Sequence, residues 1–450
     1  MGFPKDFVWG AAAASYQVEG AAEAEGKGLS VWDEFCDWEG KVYNGETGKV
    51  ACDHYNRYKE DVALMKDIGL KAYRLSISWP RVMPDGIGRV NGEGLRFYDR
   101  LIDSLLSAGI EPWVTLFHWD YPLELFRRGG WLNPQSPEWF AEYAKVIVNH
   151  FSDRVKNWMT LNEPQCFVTL GHGIGIHAPG LKLPLKEQIM AAHHALKAHG
   201  RAVQIIREHA SETPNIGWAP VGVVRYPATD KPEDIEIARK ASMGIPKPEL
   251  WNNIWYSDPV VLGHYPEEGL RMFHGQLPDL PEEDLEIINQ PLDFYGANIY
   301  NGLPVKAGEN GEIEELKRPA GNPITMYQWP VEPASLYWGP RFFYERYKLP
   351  IVITENGLAA HDWVSLDGNV HDPQRIDFLH RYLRELKRAA DDNIPVEGYF
   401  QWSILDNFEW HEGYKFRFGL VHVDFENQKR TLKDSAYWYR GVIATNGEDL

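Results

Sequence analysis

The sequence predicts an α/β chain folded as a single (β/α)8 barrel over residues 1–450, with extended β/α loops forming a cleft. Three observations lead there. Strand-like and helix-like segments alternate from end to end. Eight of them are short apolar runs of strand length. The polar and aromatic residues most suited to chemistry fall just after those runs. Eight β/α units close naturally into a barrel, and the C-terminal strand ends then share one mouth where a site is built.

The strand candidates are Val8–Ala13, Lys71–Ser76, Glu111–Phe117, Val155–Leu161, Asn215–Pro220, Phe294–Tyr300, Ile351–Thr354 and Val396–Ser403. Between them lie amphipathic patterns: Tyr55–Ile68, Leu95–Ala108, Pro137–Phe151, Lys186–His209 and Pro373–Asp391. Tyr58, Val62, Met65 and Ile68 recur at helical spacing, as do Leu101, Leu105 and Ala108. Ser136-Pro137 fits an N-cap followed by Pro at the first helical position, and Gly69 and Gly109 fit helix stops. Val221 to Pro291 shows no clear barrel element. It reads as an extended loop after strand 5, with acidic helix-like pieces such as Pro232–Ala241 and a loop over Met243–Pro259, forming one wall of the cleft.

A length of 450 residues allows about three domains. No linker, low-complexity tract or change of composition divides it, so one large domain is expected. A net charge of −18 argues against nucleic acid and anionic membrane surfaces as partners, since both attract basic patches. No apolar stretch reaches the roughly 18 residues of a membrane span. The start, Met1-Gly2-Phe3-Pro4-Lys5-Asp6, lacks the pattern of a signal peptide. Cys36, Cys52 and Cys166 make no disulfide framework and no metal-ligand spacing. A reducing cytoplasm is the expected location. No metal and no cofactor is called for.

Two strings carry the chemistry. Thr160-Leu161-Asn162-Glu163-Pro164 and Ile353-Thr354-Glu355-Asn356-Gly357 each place a glutamate directly after an apolar run. Either alone also reads as an ordinary surface carboxylate in an acidic chain. At the ends of strands 4 and 7 of one barrel, both face one cleft, and paired carboxyls are the minimal equipment for cleaving a glycosidic bond. The neighbours converge there too: Gln17 after strand 1, Arg74 in strand 2, His118 and Trp119 after strand 3, Asn298 and Tyr300 ending strand 6, and Trp402, Glu409 and Trp410 after strand 8. Each has a plainer reading, as a core aromatic, a satisfied buried histidine or a fold-stabilising ion pair. The content of 18 Trp and 22 Tyr is largely ordinary core, yet flat aromatic faces are also what sugar rings pack on.

These motifs resemble glycoside hydrolase family 1, the retaining β-glycosidases of β-glucosidase type. The resemblance spans nearly the whole chain. It includes Ala14-Ser15-Tyr16-Gln17-Val18-Glu19-Gly20, Tyr73-Arg74-Leu75-Ser76-Ile77-Ser78-Trp79, Thr115-Leu116-Phe117-His118-Trp119-Asp120 and Leu405-Asp406-Asn407-Phe408-Glu409-Trp410, besides the two glutamate strings. It implies that Glu355 is the nucleophile and Glu163 the general acid/base. It also implies that Arg74 keeps Glu355 ionised, that Tyr300 orients it, that Asn298 supports the pair, and that Asn162 donates to the sugar 2-hydroxyl. Gln17, His118, Trp119, Trp402 and Glu409 match the pocket for the terminal sugar, which Trp410 and Phe418 line. Trp329, in Tyr327-Gln328-Trp329-Pro330, resembles the platform for the leaving group, or a wall residue that never touches substrate.

Within that family, the intact Glu409-Trp410 argues against 6-phosphorylated sugars, because a carboxylate there repels a dianion. The presence of Glu163 departs from thioglucosidases, in which Gln replaces it. Both glutamates are retained, unlike in non-catalytic carbohydrate-binding relatives. Gln165 stands where many bacterial members carry Trp, and is expected to border the leaving-group entrance and loosen stacking there. The resemblance therefore implies an exo-acting β-glucosidase for cellobiose, cello-oligosaccharides and aryl β-glucosides, with transglycosylation as a side activity. A β-galactoside- or β-fucoside-preferring member is the alternative. From another class, the rival is an inert carbohydrate-binding barrel. Gly171-His172-Gly173-Ile174-Gly175 lacks any dinucleotide fingerprint and reads as a flexible loop; His193 and His194 lie on a helix without metal-binding spacing.

Overall fold

A computed structural model describes residues 2–450. Its centre is eight parallel strands: β1 (Val8–Ala12), β2 (Ala72–Ser76), β3 (Glu111–Phe117), β4 (Asn157–Asn162), β5 (Asn215–Ala219), β6 (Tyr295–Asn298), β7 (Ile351–Asn356) and β8 (Val396–Trp402). Hydrogen bonding runs β5-β4-β3-β2-β1-β8-β7-β6. The remaining seam, between β5 and β6, is laced by Asp293 N–H to Ile216 O at 2.8 Å and Gly222 N–H to Asn298 O at 2.8 Å. The result is a nearly closed TIM barrel, as expected.

The strands read as unbroken apolar runs because both their faces are covered, as is usual for parallel sheets. One face packs on the helices. The other fills the barrel with Ala72, Trp113, Met159, Phe294, Val352 and Phe400. Trp113 lies 5.4 Å from Phe294 and 5.1 Å from Phe400, centroid to centroid. Large rings face small residues: a Cβ on Gly217 would come 2.4 Å from the Phe294 ring, and one on Gly10 2.4 Å from Phe400. Such alternation is what lets a narrow barrel fill without voids.

The outer ring comprises α1 (His54–Ile68), α2 (Gly92–Ser107), α3 (Ser136–Phe151), α4 (Leu185–His209), α5 (Glu282–Ile288), α6 (Ser335–Tyr347), α7 (Pro373–Asp391) and α8 (Asp434–Ala444). Gly69 closes α1 with φ 83°, and Gly109 follows α2 with φ 76°. Ser136 is already helical; Gln135 takes the N-cap position without a side-chain cap. The Val221–Pro291 stretch is more ordered than expected. It holds helices Pro232–Ser242, Ile254–Val261 and Glu267–Met272 before α5, so the anticipated loop over Met243–Pro259 ends inside a helix. A short strand there, Arg225–Pro227, pairs with Leu303–Ala307, which in turn pairs with Ile313–Glu315.

Sequence patterning passed over α6 because Gly339 and Pro340 interrupt it. The glycine is there for contact: a Cβ would lie 2.8 Å from Ile299 and 2.9 Å from Val224. The glycine-rich Gly171–Gly175 stretch is likewise not a loop. It falls largely within a π-helical segment, Cys166–Ile174, whose Gly175 cap has φ 77°.

Under the mouth, loops after β7 and β8 are tied to the start of α8 by buried charges. Lys433 Nζ binds Asp406 Oδ1 at 2.7 Å and Asp362 Oδ2 at 2.5 Å. Arg375 binds Asp362 at 2.7 Å and also Asp372; Arg417 binds Asp406 Oδ2 at 2.7 Å. Removing one partner from such a cluster strands its counter-charges away from water. Lys433→Met is expected to cost about 3–5 kcal/mol, read as a lowered urea midpoint with an unchanged denaturant slope.

Candidate active site

Strand register decides which side chains meet. In β7 a register shift between Ile353 and Glu355 puts Glu355 opposite Asn298 of β6. At the end of β4 the backbone turns sharply. Glu163 has φ 45°, and its N–H reaches Ala219 O of β5 at 2.8 Å. Trp119 (φ 79°) and Trp410 (φ 53°) also sit in the left-handed region. That conformation costs an L-residue roughly 1–2 kcal/mol, and it is found where surrounding structure over-determines a functional position.

Arg74 is the hub, almost fully buried in the middle of β2. Its guanidinium donates to Glu355 Oε1 at 2.5 Å, Thr354 O at 3.0 Å, Asn162 Oδ1 at 2.7 Å and Thr115 Oγ1 at 3.2 Å. Tyr300 OH donates to the other oxygen of Glu355 at 2.7 Å. Asn298 Nδ2 donates to Glu163 Oε1 and to Asn162 Oδ1, both at 3.0 Å, while Thr354 Oγ1 donates to Asn298 Oδ1 at 2.6 Å. Asn162 is thereby locked: its oxygen takes two donors, and its Nδ2 donates to His118 Nε2 at 3.0 Å. Burial and the Arg74 charge hold His118 well below the usual histidine range, so it is neutral and accepts at Nε2.

The two carboxyls have unequal surroundings. Burial and then the charge of Glu355 push Glu163 up to about 8, against weaker support from Asn298, Cys166 and Arg74. Burial also raises Glu355, more than the expectation that Arg74 simply holds it ionised allowed, but Arg74, Tyr300 and Asn298 all pull it back. Glu355 thus has a cation and a phenol beside it, while the donors on Glu163 are the neutral Asn298 and Cys166. Glu409 is also pushed up to about 8, by burial and by the charges of Glu355, Glu163 and Glu412.

These groups open into a cavity of about 610 Å³. Of the residues singled out from sequence, His118, Trp119, Glu163, Asn298, Tyr300, Trp329, Glu355, Trp402, Glu409, Trp410 and Phe418 line it. Gln17, Arg74 and Asn162 form the layer beneath. Gln17 Nε2 donates to Phe408 O at 2.9 Å and Asn407 Oδ1 at 3.1 Å, with Glu409 Oε2 at 3.5 Å; its Oε1 is buried without a partner. Trp119 stacks obliquely on Trp410 at 4.6 Å, and His118 lies parallel to Trp402 at 5.6 Å. Trp329 is stacked on Tyr327 at 4.4 Å.

Sequence reasoning missed Cys166, His177, Trp251 and Tyr327 among the lining residues. Cys166, three residues after Glu163, was open to a helical-spacing argument; Trp251 and His177 carry no such signal. Gln165 does not border the entrance. It is fully buried, accepting from Val221 N–H at 3.2 Å and donating to Val221 O at 3.3 Å and Asn252 O at 3.4 Å. It thus clamps the backbone of the cavity wall. Among the described residues no group of three or more His, Cys, Asp or Glu side chains is placed to hold a metal ion, and no helix is long and apolar enough to cross a membrane.

A barrel with two unequally supported carboxyls in a polar, aromatic-walled cavity has the make-up of a glycoside-cleaving enzyme. The chain belongs to glycosyl hydrolase family 1, whose family model matches residues 1–448. It is 45% identical over 446 residues to β-glucosidase A of Thermotoga maritima, covering 99% of this chain and 98% of that one. It is 39% identical over 482 residues to an aryl-phospho-β-D-glucosidase of Bacillus subtilis, covering 100% and 98%. A solved structure of the T. maritima β-glucosidase with glucoimidazole superposes with a TM-score of 0.91 at 45% identity, over 99% of each chain.

The electrostatic coupling of the pair can be read directly. Glu355→Gln removes the charge that raises Glu163, so the Glu163 carboxyl is expected to titrate below about 8 in that variant. Carboxyl ¹³C shifts in glutamate-labelled protein, followed against pH, measure it; an unmoved titration contradicts the coupling.

Proposed function

We propose that this enzyme is a retaining, exo-acting β-glucosidase. It removes terminal non-reducing β-D-glucosyl residues from cellobiose, short cello-oligosaccharides and aryl β-glucosides, with transglycosylation as a side reaction. The observation that carries this reading is the unequal support of Glu163 and Glu355. Glu355, held by Arg74 and Tyr300, attacks the anomeric carbon. Glu163 keeps its proton and gives it to the leaving oxygen. The glycosyl-enzyme then releases its sugar to water, which Glu163, now a carboxylate, deprotonates. An acceptor sugar in place of that water gives the transfer product.

The remaining residues fit recognition of a neutral sugar. The free oxygen of Gln17 and the carboxyl of Glu409 offer hydrogen bonds that a missing hydroxyl would leave unmade, a costly loss in a buried site. Trp402 and Trp410 offer apolar faces to the ring. Asn162, with one Nδ2 hydrogen left after bonding His118, can donate to the 2-hydroxyl. Glu409 stands where a 6-phosphate would need cations, which favours the unphosphorylated sugar over the substrate class in the B. subtilis relative's name. Three free, buried cysteines accord with a reducing cytoplasm.

Glu163 must be protonated for the first step, so kcat/KM is expected to fall as pH rises through about 8. Glu163→Gln should lower kcat/KM for cellobiose by about 10²–10⁴-fold, and much less for an aryl glucoside whose leaving group needs no proton. Glu355→Gln should abolish turnover of both. Equal residual rates in wild type and Glu355→Gln would overturn the assignment.

A further inference from the structure

We propose that Cys166 is a positioning residue for Glu163, its thiol donating S–H to Glu163 Oε2 and fixing the plane of that carboxyl. This rests on the reading of Glu163 as the proton donor. The distance from Cys166 Sγ to Glu163 Oε2 is 3.3 Å. Asn298 holds the other oxygen, Oε1, at 3.0 Å. Cys166 is placed by its own backbone, since its N–H bonds Glu163 O at 2.9 Å at the entry to the π-helical segment. It lines the cavity yet is buried.

A thiol suits this place. It is a weak donor, and burial beside Glu163 and Glu355 raises it well above the usual thiol range, so it stays an S–H throughout the working pH. A stronger cationic donor would hold Glu163 ionised and remove the acid. With one donor on each oxygen, the carboxyl cannot rotate away. The charged and titratable groups around Glu163 are Glu355 and Arg74, with Tyr300 and Glu409 across the mouth; Tyr256 and Tyr327 approach the thiol. Among these neighbours, the thiol alone reaches Glu163 Oε2 as a donor.

The test compares Cys166→Ala and Cys166→Ser. A hydrogen bond to the charged form lowers a carboxyl's pKa, so losing it moves the alkaline limb of kcat/KM upward. The limb is expected to rise by a few tenths of a pH unit in Cys166→Ala and to return to or below its wild-type position in Cys166→Ser. In Cys166→Ala, kcat for cellobiose should fall several-fold more than kcat for an activated aryl glucoside, with KM little changed. Uniform losses with an unmoved limb in both variants overturn the proposal. If the variants fold poorly, the wild type answers through its infrared S–H stretches. One of three bands should shift as Glu163 titrates and stay fixed in Glu163→Gln; no pH-dependent band also overturns it. An alkaline limb that persists in Glu163→Gln would instead count against Glu163 as the acid, while leaving the infrared result to report the contact.

Discussion

The site depends on a guanidinium placed at the bottom of the barrel mouth. Arg74 is buried, so its charge is uncompensated by water and must be met by protein. It is met by Glu355, a backbone carbonyl and the oxygen of Asn162. That single demand aligns the middle of β2 with the ends of β4 and β7. Coulomb attraction is strong where water is excluded, and the same exclusion makes an unpaired charge expensive. Moving any one of these strands by a residue would break several contacts at once. The Glu355 carboxyl and the barrel register therefore enforce each other.

The second carboxyl is defined by what it lacks. Glu163 has Asn298 and a thiol, both neutral donors, where Glu355 has a cation and a phenol. Unequal neighbours of this kind are the usual way in which one fold sets two identical carboxyls apart at one pH. Glu409 extends the pattern. Buried without a cation, it too is raised, by Glu355, Glu163 and Glu412.

Much of this was legible before any coordinates. Parallel strands buried on both faces leave apolar runs, and all eight appear in the sequence. The residues after them converge because strand ends converge. Glu163, Glu355 and Arg74 were readable from strand position and motif together. What stayed hidden has physical reasons. Helix α6 is masked by Gly339 and Pro340, and the glycine answers to Ile299 and Val224, far away in sequence. Gln165 looked like an entrance residue because neighbours in sequence suggest neighbours in space, yet its amide turns inward to Val221 and Asn252. Trp251 enters the wall from a long insertion whose path no local pattern specifies. The protonation of Glu163 and the upward pull on Glu355 depend on burial, which a string of letters does not contain.

The buried charges under the mouth place a condition on the order of synthesis. Every residue of the cavity has left the ribosome once Phe418 has, and β8 can then pair with β1. Yet Asp406, three residues before Glu409, is neutralised from Lys433 at the start of α8. Until that lysine arrives, the loop bearing Glu409 and Trp410 holds an acid beside Asp362 with fewer of its counter-ions. A nascent chain can thus possess a complete list of site residues and still lack a settled pocket. A contact made below the cavity by a residue that never touches it thus helps set where Glu409 and Trp410 stand.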